Sequence, residues 1–213
     1  MTQLSNIEQS ILDKCSWIVE PDAVDQDMDL RAVVGGKAAS LFELRGWGLP
    51  VPDFCCITTE ALLATLRANQ LHSVAAWLRN STAELPMPVE ELREALLNCE
   101  LPEPLAQGLQ AFLTRFPNTH FAVRSSGTLE DGADASFAGL YQTILNVQSY
   151  ADVCYAIKSC WAALFDQRVL TYLKERTSAT AMGLGLVVQK LVPAEKSGVL
   201  FSVDPVRGCD TEM

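Results

Sequence analysis

The stretch His120-Phe-Ala-Val-Arg-Ser-Ser-Gly-Thr-Leu-Glu-Asp-Gly-Ala-Asp-Ala-Ser-Phe-Ala-Gly-Leu-Tyr-Gln-Thr-Ile-Leu-Asn-Val147 decides how this chain is read. It opens as an apolar strand and delivers Arg124, Ser125 and Ser126 to its end. It then loops through Gly127, Gly132 and Gly139 and returns as a second strand, Thr143 to Val147. A guanidinium fixed at a strand end can grip phosphate oxygens bidentately, and glycines let backbone N–H groups come close to a bound anion. The stretch is therefore a candidate anion-binding loop. The same residues also compose a long β-hairpin with a polar connection, because Gly, Ser and Asp are the ordinary residues of turns. Glu130, Asp131 and Asp134 read as an acidic turn rather than as metal ligands.

A second anchor lies upstream, in Ala32-Val-Val-Gly-Gly-Lys-Ala-Ala-Ser-Leu-Phe-Glu-Leu-Arg-Gly-Trp-Gly48. This predicts a turn into a helix that buries Leu41 and Leu44 and ends at Gly46 or Gly48, ahead of Pro50 and Pro52. Gly35 and Gly36 leave the first N–H groups of that helix open. Lys37 falls in the first turn, where the helix dipole disfavours a cation unless an anion meets it. The pattern is not a P-loop, since Ala38 follows the lysine and offers no hydroxyl to Mg²⁺. A surface lysine on a glycine-capped helix fits the same residues.

Around these anchors the chain alternates strands and helices. Residues 5 to 15 predict a helix, Trp17 to Val19 a short strand, and the Asp-rich segment 22 to 29 a solvated connection. Phe54-Cys-Cys-Ile57 reads as a buried strand, with Thr58 or Thr59 capping a helix over 60 to 68 that carries Glu60 at its start. Residues 70 to 116 read as helical, in apolar stripes Leu71/Val74/Leu78, Val89/Leu92/Leu96 and Leu105/Leu109/Phe112/Phe116. Such stripes are core, and His72 among them is a surface or capping residue. Ser149-Tyr-Ala-Asp152 is a capping-box start. The helix after it buries Val153, Ile157, Cys160, Trp161 and Leu164, and a second buries Phe165, Val169, Tyr172 and Leu173. Met182 to Val192 and Gly198 to Val203 predict a closing pair of strands. Gln189 is a lone amide in the first of these, and a buried amide requires a backbone or ligand partner.

Composition sets bounds. A chain of 213 residues, 49% hydrophobic, can bury a core, and the mixture of elements predicts an α+β (mixed α/β) domain. A formal charge of −10 argues against a nucleic-acid or anionic-membrane binder. Any phosphate must be held by a few placed cations. No stretch approaches the roughly 20 apolar residues of a membrane span. The acidic first thirty residues are unlike a signal peptide, so the expected location is cytoplasmic. The seven cysteines, Cys15, Cys55, Cys56, Cys99, Cys154, Cys160 and Cys209, show no CxxC or Cys/His metal spacing, and most read as reduced, buried and inert.

The order of residues in Arg124-Ser-Ser-Gly-Thr-Leu-Glu-Asp-Gly-Ala-Asp-Ala-Ser-Phe-Ala-Gly139, with Gly35-Gly-Lys-Ala-Ala-Ser-Leu41 upstream and Gly198-Val-Leu-Phe-Ser-Val-Asp-Pro205 downstream, resembles the N-terminal nucleotide-binding domain of the phosphoenolpyruvate synthase and pyruvate phosphate dikinase family. The resemblance runs from about residue 33 to about 208 and is weakest between 64 and 116. It implies an ATP-grasp-like fold, here with a helical segment around 60 to 116. It also implies ATP with Mg²⁺, Lys37 and Arg124 on the phosphates as the catalytic cations, Gly139 and Thr143 along the nucleotide, and Gln189 near the adenine. In the family this domain phosphorylates a histidine on a swivelling domain, and that histidine passes the phosphoryl group to pyruvate or, in rifampicin phosphotransferases, to an antibiotic hydroxyl.

The family pattern continues past Asp204-Pro-Val-Arg-Gly208 into a Gly-Leu-Gly-Glu segment, the acidic and Gln-x-Arg ligands of Mg²⁺ and ATP, a phosphohistidine domain and a pyruvate-binding barrel. The resemblance thus implies that residues 1–213 are the first part of the nucleotide-binding domain, a fragment incapable of full turnover alone. Two alternatives are a member with another acceptor, as in rifampicin phosphotransferases, and a non-catalytic remnant that only binds a partner or regulates a full-length paralogue.

Overall fold

The computed structural model describes residues 17–24, 28–80, 84–128, 141–176 and 183–198, with the backbone alone at 80 and 172–176. Among these residues a five-stranded sheet forms from β1 (Ile18–Val19), β2 (Phe54–Ile57), β3 (Phe121–Gly127), β4 (Thr143–Val147) and β5 (Leu184–Lys190), in the order β1-β2-β5-β3-β4. Every neighbouring pair is antiparallel. The helices are α1 (Leu30–Val34), α2 (Gly36–Gly46), α3 (Thr59–Ala68), α4 (His72–Asn80), α5 (Val89–Asn98), α6 (Glu103–Thr114), α7 (Tyr150–Ala163) and α8 (Gln167–Arg176). This is the expected mixed α/β class. None of these helices is long and apolar enough to cross a membrane.

The sheet separates two cores because successive strand residues point to opposite faces. Cys55, Ile57, Phe121, Val123, Leu186 and Val188 join the larger core, closed by α3 to α8. Cys56, Phe54 and Val187 join a smaller core on the other face, closed by α1 and α2. The adjacent thiols Cys55 and Cys56 thus belong to different cores, and burial pushes both well above the ordinary thiol value. The predicted helical stripes fill the larger core: Val74, Leu78, Leu92, Leu96, Leu105, Leu109 and Phe112 are buried, with Leu71, Val89 and Phe116 packed at its margin.

Several local expectations hold, and others are corrected. The Ser149–Asp152 capping box is present, and Val153, Ile157, Cys160, Trp161 and Leu164 of that run are all buried. His72 is exposed at the first residue of α4. Thr58 occupies the N-cap position of α3 but makes no side-chain capping bond; its hydroxyl is buried instead. Asp29, expected in a solvated connection, accepts the Ala32 N–H at 3.2 Å and caps α1. Helix α2 ends at Gly46, and Gly48 just beyond it, with a φ of +76°, lets the Leu49 N–H close back on the Leu44 carbonyl at 3.1 Å. The buried face of α2 is Ala38, Ala39 and Phe42, whereas Leu41 and Leu44 are only half-buried. The Ser126 contact turns Ala38 and, one helical turn on, Phe42 into the smaller core, which leaves Leu41 at its margin. The predicted helix at 5 to 15 and the last strand, Gly198 to Val203, lie outside the described residues apart from Gly198.

Candidate functional site

The two stretches singled out by sequence meet. Strand β3 presents Ala122, Arg124 and Ser126 to the face covered by α1 and α2, since their partners on β5 are Gln189, Val187 and Gly185. On the other side of β3, Arg124 pairs with Thr143 of the edge strand β4. The first turn of α2 then lands on the same face, where the Ser126 hydroxyl accepts the Ala38 N–H at 3.0 Å. Lys37, half-buried, is the residue before Ala38. Ser126 lies two residues from Arg124, about 7 Å along an extended strand. The helix turn that carries Lys37 is therefore seated on the sheet face that carries Arg124, 87 positions away in sequence.

The glycines before Lys37 have a different use from the one expected. A Cβ on Gly35 would stand 2.1 Å from the Ser126 carbonyl oxygen, and one on Gly185 would stand 2.5 Å from the Val34 carbonyl oxygen. The α1–α2 elbow thus rests on bare backbone across the Ser126–Gly185 pair. The Ala38 N–H, expected to be open to an anion, is occupied by Ser126. Ser125 and Ser126, read as two hydroxyls delivered together to the strand end, point to opposite faces and are both buried. Ser125 faces the larger core beside Cys160. Burial pushes the Cys160 thiol up to about 11, against a smaller pull downward from the Ser125 hydroxyl. The described cysteines carry no disulfide, and each has its pKa raised chiefly by burial, which suits inert thiols.

Gln189 has the partners that a buried amide requires. Its Oε1 accepts from Arg124 Nη1 at 3.0 Å, and its Nε2 donates to the Pro52 carbonyl at 3.5 Å. The amide thereby links the guanidinium to the loop entering β2 and restricts how Arg124 can swing. Thr143 is exposed on β4, next to Arg124. Gly139, Glu130, Asp131 and Asp134 lie outside the described residues. Among the described residues no three His, Cys, Asp or Glu side chains gather as a metal cluster.

Sequence reading missed two features. One is the seat made by Ser126 and Gly185, which a glycine inside an otherwise apolar strand could have signalled. The other is an open cleft of about 470 Å³ lined by Ala32, Thr59, Glu60, Leu63, Arg79, Thr128 and Gly183. It lies at the Gly127 end of β3, and Arg79 pairs across it with Glu60 at 3.2 Å. That pairing needed α3 and α4 to be placed in space.

The chain is thus a mixed α/β domain whose antiparallel sheet carries a strand arginine bonded to a strand amide, with the start of a helix seated on the same face. Residues 31–213 match the family described as pyruvate phosphate dikinase, AMP/ATP-binding domain, and the chain belongs to that family. It is 33% identical over 190 residues to a probable phosphoenolpyruvate synthase of Methanothermobacter thermautotrophicus, covering 84% of this chain and 28% of that protein. It is 34% identical over 186 residues to a rifampicin phosphotransferase of Bacillus cereus, covering 82% and 21%. It is 35% identical over 176 residues to the prodigiosin synthesizing transferase PigC of Serratia marcescens, covering 82% and 19%. The chain thus spans between about a fifth and somewhat over a quarter of the length of these relatives.

Proposed function

We propose that this chain is the ATP-binding part of a phosphoenolpyruvate synthase-like phosphotransferase, and that Lys37 and Arg124 hold the polyphosphate between them. The observation carrying this reading is the Ser126–Ala38 hydrogen bond, which puts the turn bearing Lys37 on the sheet face that bears Arg124. ATP, as substrate, supplies the phosphoryl group. Phosphoryl transfer asks a protein mainly to position the polyphosphate and to stabilise its charge, and two cations on a rigid sheet suit that work. Arg124 grips phosphate oxygens while Gln189 steadies its guanidinium. In this reading Gln189 also lies toward the adenine, and Thr143 and Gly139 run along the nucleotide. A strand-mounted guanidinium can do this against a net charge of −10, because it acts at contact distance while the overall field is screened beyond about 10 Å.

The reading continues to a histidine on a carrier domain as first acceptor, followed by transfer to pyruvate in a cytoplasmic enzyme. Mg²⁺ belongs to it as the ion that accompanies the triphosphate, and we assign it no ligand among the described residues. Rifampicin phosphotransferases are as similar to this chain as the phosphoenolpyruvate synthases are, and in this reading another part of the whole protein chooses the final acceptor.

Titration calorimetry of ATP with Mg²⁺ into the chain, Lys37→Ala and Arg124→Ala tests the assignment. A charge-assisted hydrogen bond contributes about 1.5–3 kcal/mol, so each variant should lose about tenfold or more in affinity. Undiminished binding by both variants, or no binding by the parent chain, contradicts the proposal.

A further inference from the structure

We infer that Ser126 is a positioning residue: its hydroxyl fixes the start of α2 on β3 and so sets Lys37 against Arg124. The inference rests on the reading of Lys37 and Arg124 as the phosphate-holding cations and adds what holds them in register.

Three observations converge on Ser126. Its side chain is fully buried, and its Oγ accepts the Ala38 N–H at 3.0 Å, one residue from Lys37. It stands on the same strand face as Arg124, two residues away, with Gly185 opposite. The elbow around it has no slack: a Cβ on Gly35 would come 2.6 Å from Ser126 Oγ and 2.1 Å from the Ser126 carbonyl oxygen. Farther along α2, Phe42 packs edge-on against Phe54 of β2, with ring centroids 5.1 Å apart and an interplanar angle of 81°. That contact steadies the C-terminal half of the helix but lies more than a turn from Lys37. At the helix start, shape holds the elbow down while the directional hydrogen bond defines where the first turn points. Removing the hydroxyl leaves a buried N–H without its acceptor, and the first turn relieves this by shifting. The ammonium of Lys37 moves with it, whereas Arg124, held in the strand and by Gln189, stays in place.

A double-mutant cycle separates positioning from general damage. ATP affinity in the presence of Mg²⁺ is measured for the chain, Ser126→Ala, Lys37→Ala and the double variant. The expected result is a loss of about tenfold for Ser126→Ala in the parent background and less than about twofold in the Lys37→Ala background. Equal losses in both backgrounds, or no loss in the parent, overturn the positioning role while leaving the phosphate assignment intact. A Lys37→Ala variant with parental affinity overturns the phosphate assignment itself, and the positioning role with it. If Ser126→Ala does not fold, Ser126→Cys carries the cycle: its bulkier sulfur is a poor acceptor, so a smaller loss is expected in the parent background and none in the Lys37→Ala background, and equal losses in both, or none in the parent, overturn the positioning role.

Discussion

Gly35 has a φ of +82° and sits against the Ser126 backbone, so two separate constraints exclude a side chain there. Backbone with a φ of +82° and a ψ of 169° is essentially glycine's alone and costs an L-residue about 1–3 kcal/mol, and the steric conflict adds to it. Gly46, in the last turn of α2, has nothing near the place a Cβ would take. Gly35→Ala should therefore destabilise the chain by more than about 2 kcal/mol, and Gly46→Ala should stabilise it by about 0.5 kcal/mol. Chemical denaturation of the two variants checks this contrast. Similar midpoints for both would mean that the elbow is not seated as described. The same constraint explains why Gly35-Gly36-Lys37 is easily misread in sequence. Two glycines before a lysine suggest open N–H groups, but here the first of them serves close packing against a strand some ninety residues later.

At the scale of the element, α7 shows how a local signal becomes a pH dependence. The Ser149 hydroxyl, at 2.6 Å, and then the Ser149 N–H, at 3.2 Å, hold the Asp152 carboxyl below the ordinary aspartate value. A carboxyl lowered in the folded state contributes stability above its unfolded pKa, and that contribution is lost as the pH falls through the lowered value. Thermal melts of the chain should therefore show an acid limb below about pH 4 that is shallower in Asp152→Asn. Coincident pH profiles would contradict the capping role. This cap was legible because its partners lie three residues apart. The helical stripes were legible for the same reason, since Leu105, Leu109 and Phe112 repeat within one helix. The face of α2 was not, because hydrophobicity favours Leu41 and Leu44 while the approach to β3 selects Ala38 and Ala39. Nor could spacing reveal that β5, the last described strand, inserts between β2 and β3. Its pairing joins Cys55 to Val188, across 133 positions. The site inherits that limit: Arg124 and Gln189 were each visible as unusual strand residues, but their hydrogen bond exists only because β5 is central.

For the whole molecule, the sheet divides the work between its faces. The larger core, with Trp161, Phe112, Phe121 and Phe165 fully buried, anchors the strands from one side. Burying a large apolar side chain is worth about 1.5–3 kcal/mol, so this core can offset the cost of polar groups held on the opposite face. That opposite face carries the smaller core and, beyond it, Arg124, Gln189 and the start of α2. The edge strand β4 takes an irregular register against β3, and Asn146 there has a φ of +63°. Such a bulge twists an open edge away from further strand pairing. The cleft between Glu60, Arg79 and Thr128 is the physical rival to the Lys37–Arg124 face as a place for a ligand. The most direct test of the central claim is a crystal structure of this chain with a non-hydrolysable ATP analogue and Mg²⁺. The account predicts phosphate oxygens within hydrogen-bond reach of both Lys37 Nζ and the Arg124 guanidinium; a triphosphate seated in the Glu60–Arg79 cleft, or bound out of reach of both cations, would contradict it.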